Sequence, residues 1–177
     1  MRSQPIVFDT SVYIPYFRRE AYRSLIEAQT RRGRNRLSSV VIQELYTGTR
    51  SPTDKRLLDE LDRAFTSRGY VVTPEHKEWV LAGQLLNQYC RRHGFLDPRS
   101  HVADVLILIS ALRVGAVLIT ENVRNFAMWL RLMGRRRLAG AVLGVRLGRT
   151  ISRHDSPQLD QRPSSSASKL GSQRGAV

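Results

Sequence analysis

The feature that most limits what this chain can become is an alternation. Short apolar, β-branched runs are each followed by a stretch whose apolar residues recur at helical spacing, and the switch repeats from residue 5 to residue 133. PIVF (5–8) ends at Asp9, and Thr10 and Ser11 open a helical stretch through Val12, Tyr13, Ile14, Tyr16 and Phe17. Residues 36–40 predict a second strand, with Ser38 and Ser39 as candidate caps for the helix VVIQELYTGT, closed by Gly48 and Pro52. Leu57, Leu58, Leu61 and Phe65 mark a helix over 53–68 that Gly69 stops, and YVVT (70–73) reads as a third strand. A further helix is predicted from about Glu75 to Arg92, with Trp79, Val80, Leu85 and Leu86 turned inward; the next runs from His101 to Val114 and ends at Gly115. AVLIT (116–120) is a strand, a helix carrying Phe126, Trp129, Leu130 and Met133 follows, and AVLGV (141–145) reads as the last strand. This order predicts an α/β domain. Parallel strands need crossover helices, the helices cover both faces of the sheet, and ligands bind outside the carboxyl ends of the strands.

At 177 residues the chain is long enough for one domain with a sizeable core and short for two. We expect that domain over 1–150 and a disordered tail over 151–177, where a Ser-rich sequence nearly free of large apolar residues cannot offset its ordering entropy. The net charge is +14, from 29 Lys and Arg against 15 Asp and Glu, and nearly all the basic residues are arginine. A polyanionic partner is expected, nucleic acid first and an anionic membrane surface second. Cys90 stands alone, which excludes an intrachain disulfide and a Cys-based zinc cluster and fits a reducing compartment. The N-terminus lacks the apolar core of a signal peptide, and the run 102–112 is too short to span a bilayer and is broken by Asp104. A soluble cytoplasmic protein is the expectation. Neither a P-loop nor a dinucleotide fingerprint is present.

Asp104 raises the sharpest question. On a helix it shares a stripe with Ile107, Leu108 and Ala111, so it faces the same way as core residues. A carboxylate taken out of water takes up a proton or finds a cation. Two more acids stand in comparable places: Asp9 at the carboxyl end of the first strand, and Glu44 on a helix with Val40 and Val41 one turn before and Gly48 one turn after. Each has a plain structural role open to it: Asp9 as a turn or helix cap, Glu44 as an ion-pair partner of an arginine, Asp104 as a first-turn acid complementing the helix dipole. Taken together they imply more. Three carboxylates meeting at one sheet edge could not all stay ionised without a multivalent cation, and hard oxygen ligands select Mg²⁺ or Mn²⁺.

The strings IVFDTSVYI, SSVVIQELYTG, HVADVLILISAL and LITENVRNF resemble, in order over residues 5–130, the four blocks of PIN-domain ribonucleases, in particular the toxin subunits of VapBC-type toxin–antitoxin pairs. The resemblance implies a PIN-like three-layer α/β/α sandwich with a short central parallel sheet. It implies an Mg²⁺ or Mn²⁺ site formed by Asp9, Glu44 and Asp104, hydrolysis of RNA phosphodiester bonds, an antitoxin partner and a homodimer. The fourth block departs from the pattern. Where the family places an acid, Asn122 and Asn125 are neutral amides, and Glu121 is the only acid left. A one-residue shift at a strand end swings a side chain elsewhere, so Glu121 is not assumed to substitute. Losing that charge weakens divalent-ion affinity and favours a single ion. Thr120, Glu121, Asn122 and Asn125 are supporting candidates, as are Thr10 and Ser11, whose first use is capping. His101 is expected at a helix start rather than in catalysis.

Arginines between 131 and 149, with Arg131, Arg135, Arg136 and Arg137 foremost, are candidates for gripping an RNA backbone, against a plain reading as a solvated face. A haloacid-dehalogenase-type phosphatase also begins with a strand-end Asp, but wants a second Asp where Ser11 stands. The other alternative is a catalytically weakened or inactive PIN-fold protein that binds RNA or an antitoxin.

Overall fold

The computed structural model describes residues 4–94, 97, 100–134, 141–146 and 149–153. In chain order the elements are β1 (Ile6–Phe8), α1 (Thr10–Arg19), α2 (Arg23–Arg31), β2 (Asn35–Ser38), α3 (Ser39–Thr47), α4 (Pro52–Thr66) and β3 (Val71–Val72), followed by α5 (His76–His93), α6 (Val102–Arg113), β4 (Val117–Thr120), α7 (Val123–Met133), β5 (Ala141–Arg146) and β6 (Arg149–Arg153). The strands form one sheet in the order β3-β2-β1-β4-β5-β6. Its first five strands are parallel and β6 runs antiparallel to β5. Helices on both faces complete a three-layer α/β/α sandwich.

β1 is the axis of the molecule. It pairs with β2 on one side, with Ile6 opposite Asn35, and with β4 on the other, with Phe8 opposite Ile119. Buried on both faces, it needs apolar side chains at every position, and Ile6, Val7 and Phe8 supply them. The chain leaves β1 towards β2 and later returns to β4 on the opposite side, so the carboxyl end of β1 is the topological switch point of the sheet. That geometry opens a crevice beside Asp9. The most enclosed helix is α6, buried continuously from Val105 to Leu112, which accounts for an apolar sequence with little periodicity.

Three features differ from the sequence expectation. Helix α2 is unexpected because its apolar content is low. Ile26 carries its buried face, while Glu27 pairs with Arg23 at 2.9 Å and with Arg31 at 3.4 Å on its outer face. Trp79 and Val80 are exposed rather than inward. The buried stripe of α5 runs through Glu78, Ala82, Leu85 and Leu86, which turns the two apolar residues after Glu78 to solvent. Leu57 is exposed for the same reason, since Leu58 and Phe65 set the inner face of α4. Strand β6 takes in residues 151–153, which the sequence analysis assigns to the tail; residues 154–177 lie outside the described residues. Among the described residues no helix is long and apolar enough to cross a membrane.

One glycine sets how α7 meets the sheet. A Cβ on Gly144 of β5 would lie 2.4 Å from Cγ2 of Val123, the first residue of α7. Only a bare backbone lets the two elements approach this closely.

Candidate active site

Asp9 follows β1 directly and is the N-cap of α1, so its plain structural role is real. Its Oδ2 accepts hydrogen bonds from Ser11 Oγ at 2.6 Å, Thr120 Oγ1 at 2.8 Å and the Ser11 amide at 3.4 Å. The two hydroxyls are themselves fixed by the turn after β4: the Glu121 amide donates to Ser11 Oγ at 3.0 Å and the Asn122 amide to Thr120 Oγ1 at 2.8 Å. Two backbone amides are thus relayed through two hydroxyls onto one oxygen. Among the described residues nothing donates to Oδ1.

Glu44 reaches the same place from α3, which starts at the end of β2 where Ser38 caps it. Its Oε2 accepts from Thr10 Oγ1 at 2.5 Å. Burial pushes its carboxyl above the ordinary range, the Thr10 bond draws it back, and the charge of Asp9 raises it again. Asp104, the third residue of α6, completes the group. Its carboxyl is pushed up to about 7, by burial first and then by the negative charges of Asp9 and Glu44, while a hydrogen bond from the Asn125 side chain opposes the rise. The three acids therefore sense one another. Among the described residues the ion pairs lie elsewhere, and no lysine or arginine neutralises any of the three.

The donor set suits a hard divalent cation: carboxylates only, partly desolvated, mutually repelling and lacking a counter-charge. Among the described residues no three His, Cys, Asp or Glu side chains stand already closed to ligating distances. Ser11 and Thr120 both hold Oδ2 of Asp9, and Thr10 holds Oε2 of Glu44. The fit to a cation is one of chemistry and placement.

Most of the candidates from the sequence converge here: Asp9, Thr10, Ser11, Glu44, Asp104, Thr120 and Asn125 through side chains, Asn122 through its backbone. Glu121 does not. It is exposed, and its carboxylate accepts the Tyr22 hydroxyl rather than contacting any of the three acids' partners. His101 sits at the N-cap position of α6 with its ring 5.8 Å from that of Trp129, in a packing role. Arg131 is exposed on α7 and donates to the Ala127 carbonyl at 3.2 Å; Arg135, Arg136 and Arg137 lie outside the described residues. Sequence reasoning missed Tyr22, for which no motif speaks, and Gly144, whose position inside a strand was the available signal. A separate hollow of about 480 Å³, lined by Tyr46, Asp59, Asp62, Arg63, Thr66 and Ser67, contains none of the pocket carboxylates.

A doubly wound sheet with three carboxylates near its switch point defines the class: an α/β domain with an acidic pocket at the strand ends. The chain belongs to the PIN-domain family, which matches residues 6–127. Among solved structures the fold is similar to that of the DNA-bound VapBC complex from Salmonella typhimurium, at 21% identity and a TM-score of 0.55, covering 80% of this chain and 98% of that one. It is similar also to VapBC2 from Rickettsia felis bound to a promoter DNA fragment, at 20% identity and a TM-score of 0.53, covering 78% and 98%. FitAB bound to a DNA fragment gives 15% identity and a TM-score of 0.53, covering 77% and 94%. At these identities the likeness is one of fold. No curated protein matches the chain in sequence.

Proposed function

We propose that the chain is a metal-dependent endoribonuclease of the toxin type, hydrolysing RNA phosphodiester bonds and held in check by an antitoxin partner. The observation that carries this reading is the mutual repulsion of Asp9, Glu44 and Asp104 in a pocket where no basic side chain of the described residues answers them. Asp9, Glu44 and Asp104 would hold Mg²⁺ or Mn²⁺. An ion so held supplies positive charge for the developing phosphoryl oxygens and makes water a stronger nucleophile. The chain's own part is positional. Ser11 and Thr120 hold Oδ2 of Asp9 and Thr10 holds Oε2 of Glu44, which leaves Oδ1 and Oε1 without a protein donor among the described residues. Asp104 brings the third carboxylate, half-buried at the start of α6.

The polyanionic substrate matches a net charge of +14, and the partner is supported by similar folds in VapBC and FitAB complexes. A second reading, a PIN-fold protein that binds RNA or an antitoxin without cutting, is favoured by one observation: a neutral amide, Asn125, meets Asp104. The test is cleavage of a structured RNA with Mn²⁺ or Mg²⁺. The wild-type chain is expected to cut, and Asp9→Asn and Asp104→Asn to lose at least about 100-fold in rate, as removal of a preorganised charged group does. Unchanged cleavage in both variants sinks the site. A wild type that binds the RNA without cutting it favours the second reading.

A further inference from the structure

We infer that Glu121 reads the base beside the bond being cut and selects guanine, with Tyr22 as the positioning residue that aims it. The inference rests on the ribonuclease reading above and specifies its sequence preference. Glu121 is tied to the pocket through its backbone. Its amide donates to Ser11 Oγ at 3.0 Å and that hydroxyl donates to Asp9 Oδ2 at 2.6 Å, so two hydrogen bonds join the residue to the first carboxylate. Its side chain is exposed at the rim, within reach of a nucleotide flanking a phosphate held at Asp9.

The carboxylate is fixed in direction and unpaired with any cation. The Tyr22 hydroxyl donates to Oε1, and among the described residues nothing donates to Oε2. No lysine or arginine of the described residues pairs with Glu121, in a chain that has 29 of them. Tyr22 holds this post against its own backbone preference. It is the N-cap of α2 with φ at 59°, a left-handed conformation unfavourable for a bulky residue, and Glu20 just before it has φ at 53°. The Tyr22 side chain makes no capping bond to α2 that would offset the strain. What the strained turn achieves is a phenol carried across to the β4–α7 turn, so that the carboxylate is aimed before a substrate arrives.

A carboxylate that accepts on both oxygens discriminates among the four bases. Oε1 keeps a second lone pair beside the Tyr22 bond, and Oε2 is open. Only guanine presents two adjacent donors on its Watson–Crick edge, N1–H and the N2 amino group. Adenine and cytosine present an amino group beside an accepting ring nitrogen, and uracil an N–H between two carbonyls, so each turns a lone pair towards the anion. That edge is free to be read in unpaired RNA, where side chains recognise bases most readily.

The experiment maps the cuts that the full chain makes with Mn²⁺ in a structured RNA, then replaces the base beside the main cut. Wild type is expected to cut beside an unpaired guanine and to slow at least about tenfold when adenine, cytosine or uracil takes its place, the discrimination of a good two-bond pair. Inosine, which lacks the N2 amino group, is expected to slow the cut nearly as much, whereas 7-deazaguanine, with its Watson–Crick edge intact, is expected to leave it unchanged. Glu121→Gln is expected to bring the rates on the four bases together. Tyr22→Phe keeps the ring, removes the hydroxyl and is expected to lower the guanine preference about threefold, in a chain shown by its thermal melt to be folded. A wild type that cuts without regard to this base overturns the inference and leaves the ribonuclease reading standing. So does a Glu121→Gln variant whose rates on the four bases all fall by the same factor, as a purely structural role would have it. A wild-type chain that cuts no RNA sinks both readings together.

Discussion

Asp9 and Glu78 are equally hidden, each 4% exposed, yet the fold treats them in opposite ways. Glu78 on α5 accepts from Arg113 Nε at 2.7 Å and from the Glu75 amide at 2.5 Å, while Arg113 also reaches Glu75 Oε1 at 2.9 Å and the Thr73 carbonyl at 3.0 Å. That acid is neutralised, and the cluster ties the last residue of α6 to the first turn of α5. At the other end of the same helix Asp104 lies close enough to Asp9 and Glu44 to feel their charge, and among the described residues no lysine or arginine pairs with it. A buried acid that has its cation within the chain is part of the architecture. A group of buried and half-buried acids with no cation among the described residues is a cost to the architecture, and a folded chain retains such a cost where the charge has work to do.

The comparison is broken most directly at the clamp. Arg113→Ala leaves Glu78 buried beside an empty space, and the expected loss is about 3 kcal/mol of folding free energy, measured by urea denaturation. Asp104→Asn is expected to move stability the other way. If both variants lost stability alike, the distinction between a structural acid and a functional one would fail here. Gly144→Ala comes next, at about 2 kcal/mol, because the new methyl group must displace Val123 and with it the start of α7. If α7 is what brings Asn125 to Asp104, this variant also weakens Mn²⁺ binding, although Gly144 touches no carboxylate.

Acidity separates the two regions more finely. The Asp104 carboxyl is raised to about 7 in the folded chain from an ordinary value of 3.8. The folded state then binds more protons than the unfolded one between those limits, so this group's contribution to stability falls as pH rises from about 4 to about 7. Above 7 the full penalty is present, and below 4 it is absent. Because the side chain is only partly buried, we expect the swing to be about 1–2 kcal/mol. Thermal melts in a metal chelator should show it in wild type and not in Asp104→Asn, and added Mn²⁺ should reverse it. A chelated wild type whose stability rises across that window would contradict the electrostatic picture of the pocket.

The strand-to-helix alternation was legible because each short apolar run is buried on both faces and each helix carries an apolar stripe. For the same reason Asp9, Glu44 and Asp104 could be picked out as acids set in apolar or strand-end surroundings. What stayed hidden was set by pairing across the fold. Trp79 and Val80 read as core by their chemistry alone, but a distant arginine, Arg113, draws Glu78 inward and rotates α5 so that they face solvent. Helix α2 was invisible because ion pairs rather than apolar residues populate its outer face. The direction of Glu121 depends on Tyr22, 99 positions away, and no local pattern carries that.

The smallest expected effect tests the relay itself. Thr120→Val keeps the volume of a fully buried side chain and removes the hydroxyl that joins the Asn122 amide to Asp9 Oδ2. Asp9 retains the Ser11 hydroxyl at 2.6 Å, so the carboxylate is still held, and about 1 kcal/mol of stability should be lost, mostly from the unpaired amide. The informative reading is Mn²⁺ affinity. If the hydroxyls serve to commit Oδ2 and keep Oδ1 open, loss of one loosens Asp9 and weakens binding about threefold to tenfold, more than the drop in stability alone explains for a chain that remains folded. A variant that is less stable but binds Mn²⁺ as wild type does would show that Thr120 serves the β4–α7 turn, as Arg113 serves α5, and that Asp9 is oriented by Ser11 alone.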